Sequence, residues 1–212
     1  PYPTLFRSCE DAWAAERPGS QMSRHGVDII LNPSASHFAF GKHSVRQRFV
    51  LDGSRAFGCG YVYANLCGNE AGRAIYDGGA LLAAGGRLLA AGPRFSFHET
   101  DVVSATVDVD VLRTKRAAVH SRTTDLTGRS AGRIISVPTA EIFTDTAEPT
   151  AAAQAQLKVH TAIDENCSKE QEFVHAEALG LHDYLRKTRS RGFVVSMSGG
   201  ADSSACAVLI RA

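Results

Sequence analysis

Phe193-Val194-Val195-Ser196-Met197-Ser198-Gly199-Gly200-Ala201-Asp202-Ser203-Ser204 runs from an apolar segment through two glycines into a second apolar run, Ala205 to Ile210. The pattern predicts a strand over Phe193 to Met197, a glycine turn, and the first turns of a buried helix. Paired glycines let a backbone come close to a polyanion, and successive N–H groups at a helix N-terminus form an anion nest. Ser198, Ser203 and Ser204 add hydroxyl donors to Gly199 and Gly200. The Gly-Lys-Ser/Thr ending of a Walker A loop is absent, so the usual reader of the β- and γ-phosphates is missing. Asp202 would repel a bare phosphate, a placement that makes sense if Mg²⁺ lies between them. The alternative is a Gly-Ser turn that caps a helix, with Asp202 in its first turn.

Upstream of this loop, Arg186 to Arg191 is a basic stretch that reads as a solvated helix end, where the macrodipole favours cations. Ser168 followed by Gln171 is a capping-box pattern, and Val174, Ala178, Leu181 and Leu185 fall at helical spacing, predicting a helix of about five turns. Between about Thr123 and Lys169 the chain is rich in Thr, Ala, Gly and Ser, with Pro138 and Pro149 and no periodicity, the composition of a linker. Before the linker, Val103 to Val111 alternates and predicts a half-buried strand. Leu81 to Ala90 predicts a hairpin turning at Gly85-Gly86. Gly60 to Leu66 and Gly26 to Asn32 predict strands, and Gly41 to Ala56 predicts a helix with Val45, Phe49 and Ala56 inward and its basic residues outward. A lone strand-turn-helix cannot bury both of its faces, so the segment after residue 169 is expected to be the truncated start of a second domain.

The 212 residues carry 23 Lys+Arg against 22 Asp+Glu, a formal charge of +1, which gives no field to attract nucleic acid or a membrane surface. No apolar run approaches the ~18 residues of a membrane span, and Pro1-Tyr2-Pro3-Thr4 has neither a signal peptide's basic start nor an initiator Met, so the true start is expected upstream. Cys9, Cys59, Cys67, Cys167 and Cys206 are scattered without C-x-x-C spacing, which argues for reduced thiols and a cytoplasmic protein. His175 and His182 share a helical face but lack a third ligand for a metal.

The second chemical motif is Ser8-Cys9-Glu10-Asp11-Ala12-Trp13. Neighbouring carboxylates would raise a thiol pKa above ~8.5 unless a cation offset them, so the motif alone is weak. Downstream of it come, in order, Asn32-Pro33-Ser34-Ala35-Ser36, Gly41-Lys42, Asn65 to Gly68, and Ile75-Tyr76-Asp77-Gly78-Gly79. This series resembles the nitrilase-like glutaminase domain of glutamine-dependent NAD+ synthetases. Ser198-Gly199-Gly200-Ala201-Asp202-Ser203 resembles the pyrophosphate loop of the ATP pyrophosphatases, and Leu179 through Phe193 is similar to their NAD+ synthetase branch.

The resemblance implies an α/β chain in three parts. Residues 1–122 would be the C-terminal part of a nitrilase-like α-β-β-α sandwich, 123–168 the interdomain linker, and 169–212 the start of the ATP-pyrophosphatase domain. It implies that Cys9 is the nucleophile attacking the glutamine side-chain amide, that Glu10, Ser36 and Lys42 hold glutamine, and that Ser198, Gly199, Gly200, Asp202, Ser203 and Ser204 bind ATP, with Asp202 on Mg²⁺. Glu70 either lines the site or sits on a turn surface, and Cys59 and Cys67 are core thiols. Residues 1–8 lack the apolar strand that leads into the family's Cys, and no residue of the chain can be assigned as the family's Glu base or Lys. The parent would hydrolyse glutamine and use the ammonia with ATP to amidate deamido-NAD+, releasing AMP and pyrophosphate, as a homo-oligomer. The rival readings are a free-standing nitrilase-like amidase and an ATP-pyrophosphatase amidotransferase with another substrate. In isolation the chain is expected to be inactive.

Overall fold

A computed structural model describes residues 4–6, 9–15, 17–70, 72–119 and 167–211; the expected linker, apart from its last residues, lies outside them. The framework is a five-stranded sheet, β1 (Thr4–Phe6), β2 (Ile29–Ser34), β3 (Gly60–Asn65), β6 (Leu81–Ala84) and β7 (Arg87–Ala91), in the spatial order β1-β2-β3-β6-β7. The first three strands are parallel, with Thr4 beside Ile29 and Ile29 beside Gly60, and β6 and β7 continue the sheet antiparallel. A separate two-stranded ribbon, β4 (Cys67–Glu70) and β5 (Ala74–Asp77), comes directly after β3.

The helix expected from Gly41 to Ala56 is α3 (Lys42–Ala56), which packs on β3, β6 and β7. Its inner row is Arg46, Phe49, Val50, Gly53 and Ser54, at spacings of three and four. Phe49 and Val50 join Ile30, Tyr61, Tyr63 and Leu81 in the main core. Gly53 allows this close approach, since a Cβ would stand 3.0 Å from the Tyr61 ring. Two expectations for this helix fail: Val45 is 40% exposed, and Arg46 is wholly buried although the basic residues are expected outward. Two short helices, α1 (Cys9–Trp13) and α2 (Pro18–Arg24), precede β2. Trp13 meets Phe49 edge-on at 5.0 Å, tying α1 to α3.

The hairpin is as expected, with Gly85 and Gly86 at φ 57° and 84°, the pair of positive angles that a two-residue turn matching the strand twist requires. The strand expected over Val103 to Val111 does not form. Residues 101–108 have no regular structure, and Val109–Val119 is a helix, α4. Asp108 explains the change, because its Oδ1 accepts from the Val111 N–H and caps the helix. Leu112 is then buried, and Arg113 and Arg116 both reach the buried Asp28 ahead of β2, with N–O distances of 2.5 and 3.1 Å. Residues 4–6 also depart from expectation, forming an edge strand that leads toward Cys9.

Ser168 caps α5 (Lys169–Thr188) in the expected capping box, with the Gln171 N–H donating to Ser168 Oγ and the Ser168 N–H to Gln171 Oε1. Its buried residues are Ala176, Ala178, Leu179 and Asp183, so the inward stripe is rotated from the Val174-Ala178-Leu181-Leu185 row. Phe193 to Met197 has no ladder partner among the described residues and is not a strand. The helix after the glycine loop, α6 (Ala201–Arg211), does form, but no residue of it is buried, because α5 is the main described element against it. Among the described residues no helix is long and apolar enough to cross a membrane.

Candidate active site

Parallel strands present all their C-terminal ends at one edge of a sheet, where ligands of open α/β folds collect. Here that edge carries Cys9 beyond β1, Ser36 beyond β2 and Asn65 at the end of β3. Cys9 opens α1 and is half-buried. Lys42 opens α3, with its ammonium 3.3 Å from His37 Nε2 and 5.5 Å from the centre of the Trp13 ring. Burial holds the Lys42 pKa below its ordinary value and the Arg46 charge adds to this, while Cys9 and Asp77 pull it the other way. Cys9, Ser36 and Lys42 therefore share one neighbourhood. Glu10 is exposed on α1, and Glu70 is exposed at the far end of β4, where it accepts from the Tyr76 hydroxyl at 2.5 Å.

Ser36 is buried and firmly tied. Its N–H donates to Asn65 Oδ1 at 2.8 Å, and its carbonyl accepts from Asn65 Nδ2 at 3.0 Å. Arg46 supplies the rest: Nε donates to Ser36 Oγ at 3.3 Å, and Nη2 to the carbonyls of Ser36 and His37 at 2.8 and 3.0 Å. The remaining Arg46 nitrogen pairs with Asp77 at 2.7 Å. Asp77 is shared with Arg94 at 2.9 Å, and Arg94 pairs with Glu172 on α5 at 2.7 Å. None of Arg46, Arg94 and Glu172 stands out as a charge in the sequence. The one signal is the helical spacing that aligns Arg46 with Phe49, Val50 and Gly53.

Of the remaining thiols, Cys59 is fully buried and burial pushes it up to about 12. Cys67 is raised for the same reason and donates to the Ser96 carbonyl at 3.4 Å. Cys67 lines a cleft of about 280 Å³ between the β4–β5 ribbon, the loop around Phe97 and α5, which neither Cys9 nor residues 198–204 reach.

Helix α5 is bound to that ribbon by polar contacts. Asp183 accepts from the Asn69 N–H at 2.8 Å and pairs with Arg186 and Lys187 at 2.8 and 2.6 Å. Lys187 also donates to the Asn69 carbonyl, and Asn69 Nδ2 to the Gly180 carbonyl at 2.9 Å. The basic stretch is thus only partly the solvated helix end expected: Lys187 reaches the ribbon at the Asn69 carbonyl, Arg186 pairs with Asp183 and Glu99, and Arg189 closes the helix at φ 55°.

The loop at residues 198–204 is open. Gly199 has φ 79°, a left-handed angle that glycine tolerates. Ser198 Oγ is 3.2 Å from Ser203 Oγ and accepts from the Gly200 N–H at 3.4 Å. Ser203 and Ser204 donate to the Gly200 carbonyl at 3.1 and 2.9 Å, and Asp202 is exposed in the first turn of α6. No group of three or more His, Cys, Asp or Glu that could hold a metal occurs among the described residues.

No family model matches the chain. A glutamine-dependent NAD(+) synthetase of Saccharomyces cerevisiae is 34% identical over 205 residues, covering 96% of this chain and 28% of its own length. The crystal structure of a glutamine-dependent NAD(+) synthetase from Cytophaga hutchinsonii superposes with a TM-score of 0.62 and 37% identity, over 97% of this chain and 24% of that one. A glutamine-dependent NAD+ synthetase from Acinetobacter baumannii, solved with ADP, shares the fold at a TM-score of 0.59 and 18% identity, over 98% of this chain and 30% of its own. The chain thus spans about a quarter of the length of the curated relatives it matches. The likeness to glutamine-dependent NAD(+) synthetases covers 96% of this chain and runs through both the Cys9 region and the glycine loop.

Proposed function

We propose that this chain carries the glutamine-hydrolysing nucleophile and the ATP loop of an enzyme that makes NAD+ from deamido-NAD+. The observation that carries the first half is the convergence of Cys9, Ser36 and Lys42 at the C-terminal edge of the parallel strands. Cys9 gives up its thiol proton and its sulfur attacks the carboxamide carbon of glutamine; the C–N bond breaks, the leaving nitrogen takes up that proton to depart as ammonia, and a glutamyl thioester remains. Water then cleaves the thioester to glutamate and restores the thiol. Ser36 and Lys42 present a hydroxyl and an ammonium to the zwitterionic amino-acid end, with Glu10 supplying a carboxylate from α1. The general base and the second lysine of this chemistry have no assignment within the chain.

In the second half, ATP adenylates the deamido-NAD+ carboxylate with release of pyrophosphate, and ammonia displaces AMP. The loop at residues 198–204 fits a polyphosphate, with its largely exposed residues at a helix start, three hydroxyls and left-handed Gly199. One carboxylate beside hydroxyls also fits Mg²⁺, which is held by one or two carboxylates plus phosphate oxygens and keeps its waters. Asp202 would hold it, and the ion would supply neutralisation of phosphate charge. Oligomerisation and a cytoplasmic location belong to the same reading. A free-standing amidase is not favoured, since the likeness covers 96% of the chain, beyond any amidase half.

The test is Cys9→Ala in the full-length synthetase. Glutamine-driven NAD+ formation is expected to disappear while formation from ammonium persists. Equal loss of both activities would refute a separate thiol site.

A further inference from the structure

The loop that carries Ser36 is held from below by a single buried guanidinium. Arg46 is 0% exposed and makes four contacts, to Ser36 Oγ, the Ser36 and His37 carbonyls, and Asp77. All five N–H donors of an arginine lie in one plane, so the partners of a fully engaged guanidinium are fixed in direction as well as distance. Asp77 is 1% exposed and divides its two oxygens between Arg46 and Arg94. Arg94 in turn donates to Glu172, on a helix more than a hundred residues away in sequence from the loop.

We propose that Arg46 is the positioning residue of the glutamine loop, and that Asp77, Arg94 and Glu172 set its orientation, so that α5 is part of the scaffold of the glutamine site. Arg46 touches no substrate in this scheme. It acts by placing Ser36 and His37, and His37 in turn meets the Lys42 ammonium. A charge row fixed at both ends transmits displacement, because each interior member holds its two partners through different atoms and cannot shift far without weakening one. Movement of Glu172 with α5 therefore alters the loop at the other end, although α5 contributes no atom to the site. The proposal rests on the assignment of Cys9 and Ser36 to glutamine hydrolysis.

The experiment uses the full-length synthetase, with glutamine kinetics and ammonium-driven NAD+ formation measured side by side. A displacement of about 1 Å can cost about 10²-fold in an aligned site. Arg46→Lys, which keeps the charge and loses the plane of donors, is therefore expected to raise the glutamine KM about tenfold or more while ammonium-driven synthesis stays within about twofold. Glu172→Gln, at the more exposed end of the row, is expected to raise the glutamine KM about threefold. A merely structural role would lower both activities together with the folded fraction and leave the glutamine KM unchanged. If Arg46→Lys fails to fold and loses both activities, Glu172→Gln decides: a raised glutamine KM supports the proposal and an unchanged one overturns it. A normal glutamine KM in a well-folded Arg46→Lys also overturns it. Cys9→Ala in the same assay separates the two failures. If glutamine use survives that substitution, the site assignment falls and the proposal with it; if it is lost while the Arg46 and Glu172 variants are normal, only the positioning role is refuted.

Discussion

Asp183→Ala removes the buried carboxylate contact that helps dock α5 on the β4–β5 ribbon, leaving those of Lys187 and Asn69 Nδ2. The carboxylate is 3% exposed, and its Oδ2 is the acceptor of the Asn69 N–H at 2.8 Å in a buried setting. Loss of a charged acceptor from a buried N–H costs about 1.5–3 kcal/mol. The ion pairs add little, because Arg186 and Lys187 are 48% and 51% exposed and such pairs contribute about 0.5 kcal/mol each. The expected weakening is therefore about 2.5–4 kcal/mol, a factor of about 70 to 900. Hydrogen exchange of the full-length protein reads it directly: amides of α5 and of Asn69 should exchange faster by about that factor, with β2 and β3 unchanged. Unaltered exchange in α5, or equal acceleration throughout the sheet, would refute the docking role. Acid should reproduce the effect. Burial pushes the Asp183 carboxyl up, but hydrogen bonds from Lys187, the Asn69 N–H and Arg186 outweigh it and hold the pKa below its ordinary 3.8. A depressed acid stabilises the folded form above its unfolded pKa and loses that contribution as pH falls through the folded one. Protection of α5 should be flat from neutral pH down to about 4 and decline only below it.

Three further outcomes test other parts of the structure. Gly68 has φ 120°, and a Cβ there would stand 2.6 Å from Asp183 Oδ2, so Gly68→Ala should destabilise by about 2–4 kcal/mol. Gly72→Ala, with a left-handed φ of 71° but nothing within 4 Å, should lose only about 1 kcal/mol, and equal denaturation midpoints for the two would rule out the carboxylate contact. Asp202→Asn should abolish NAD+ formation from both nitrogen sources and leave glutamine hydrolysis; wild-type rates across a Mg²⁺ titration would reduce Asp202 to a helix cap, a role in which Asn serves as well. Iodoacetamide at pH 8 should modify Cys9, with glutamine protecting it, and spare Cys59, whose thiol is pushed up to about 12; mass-spectrometric mapping of Cys59 as the first site modified would contradict its burial.

Much of the sheet was legible because its signals are local. Ile29–Ser34 and Gly60–Asn65 are short apolar runs ended by turn residues, Gly85-Gly86 permits one kind of turn, and the Ser168/Gln171 box marks a helix start by itself. Val103 to Val111 misled because alternating Val and Asp satisfies a period of two, while the deciding event is Asp108 capping a helix whose arginines find Asp28 some 85 residues away. Phe193 to Met197 has strand composition, but a strand also needs a neighbour to pair with. Within the candidate site, Cys9, Ser36 and Lys42 are proposed from motif residues, whereas Arg46 was hidden among the basic residues of its helix. Its partner Asp77 lies 31 positions on, a distance that no local pattern reports.

The row Arg46, Asp77, Arg94, Glu172 alternates in sign and sums to zero, which restricts how such a chain can change over generations. Neutralising one inner member leaves an odd charge in a dry interior, a defect of about 3–5 kcal/mol, comparable to the whole margin of a small domain. Replacing adjacent opposite members together, such as Arg46 with Asp77, removes charge in balance and can even gain stability. Drift through single substitutions is therefore blocked at these positions, and related sequences should show them exchanged in pairs or kept. A double-mutant cycle on Arg46 and Asp77 would reveal this as strong positive epistasis, with the double variant healthier than either parent single.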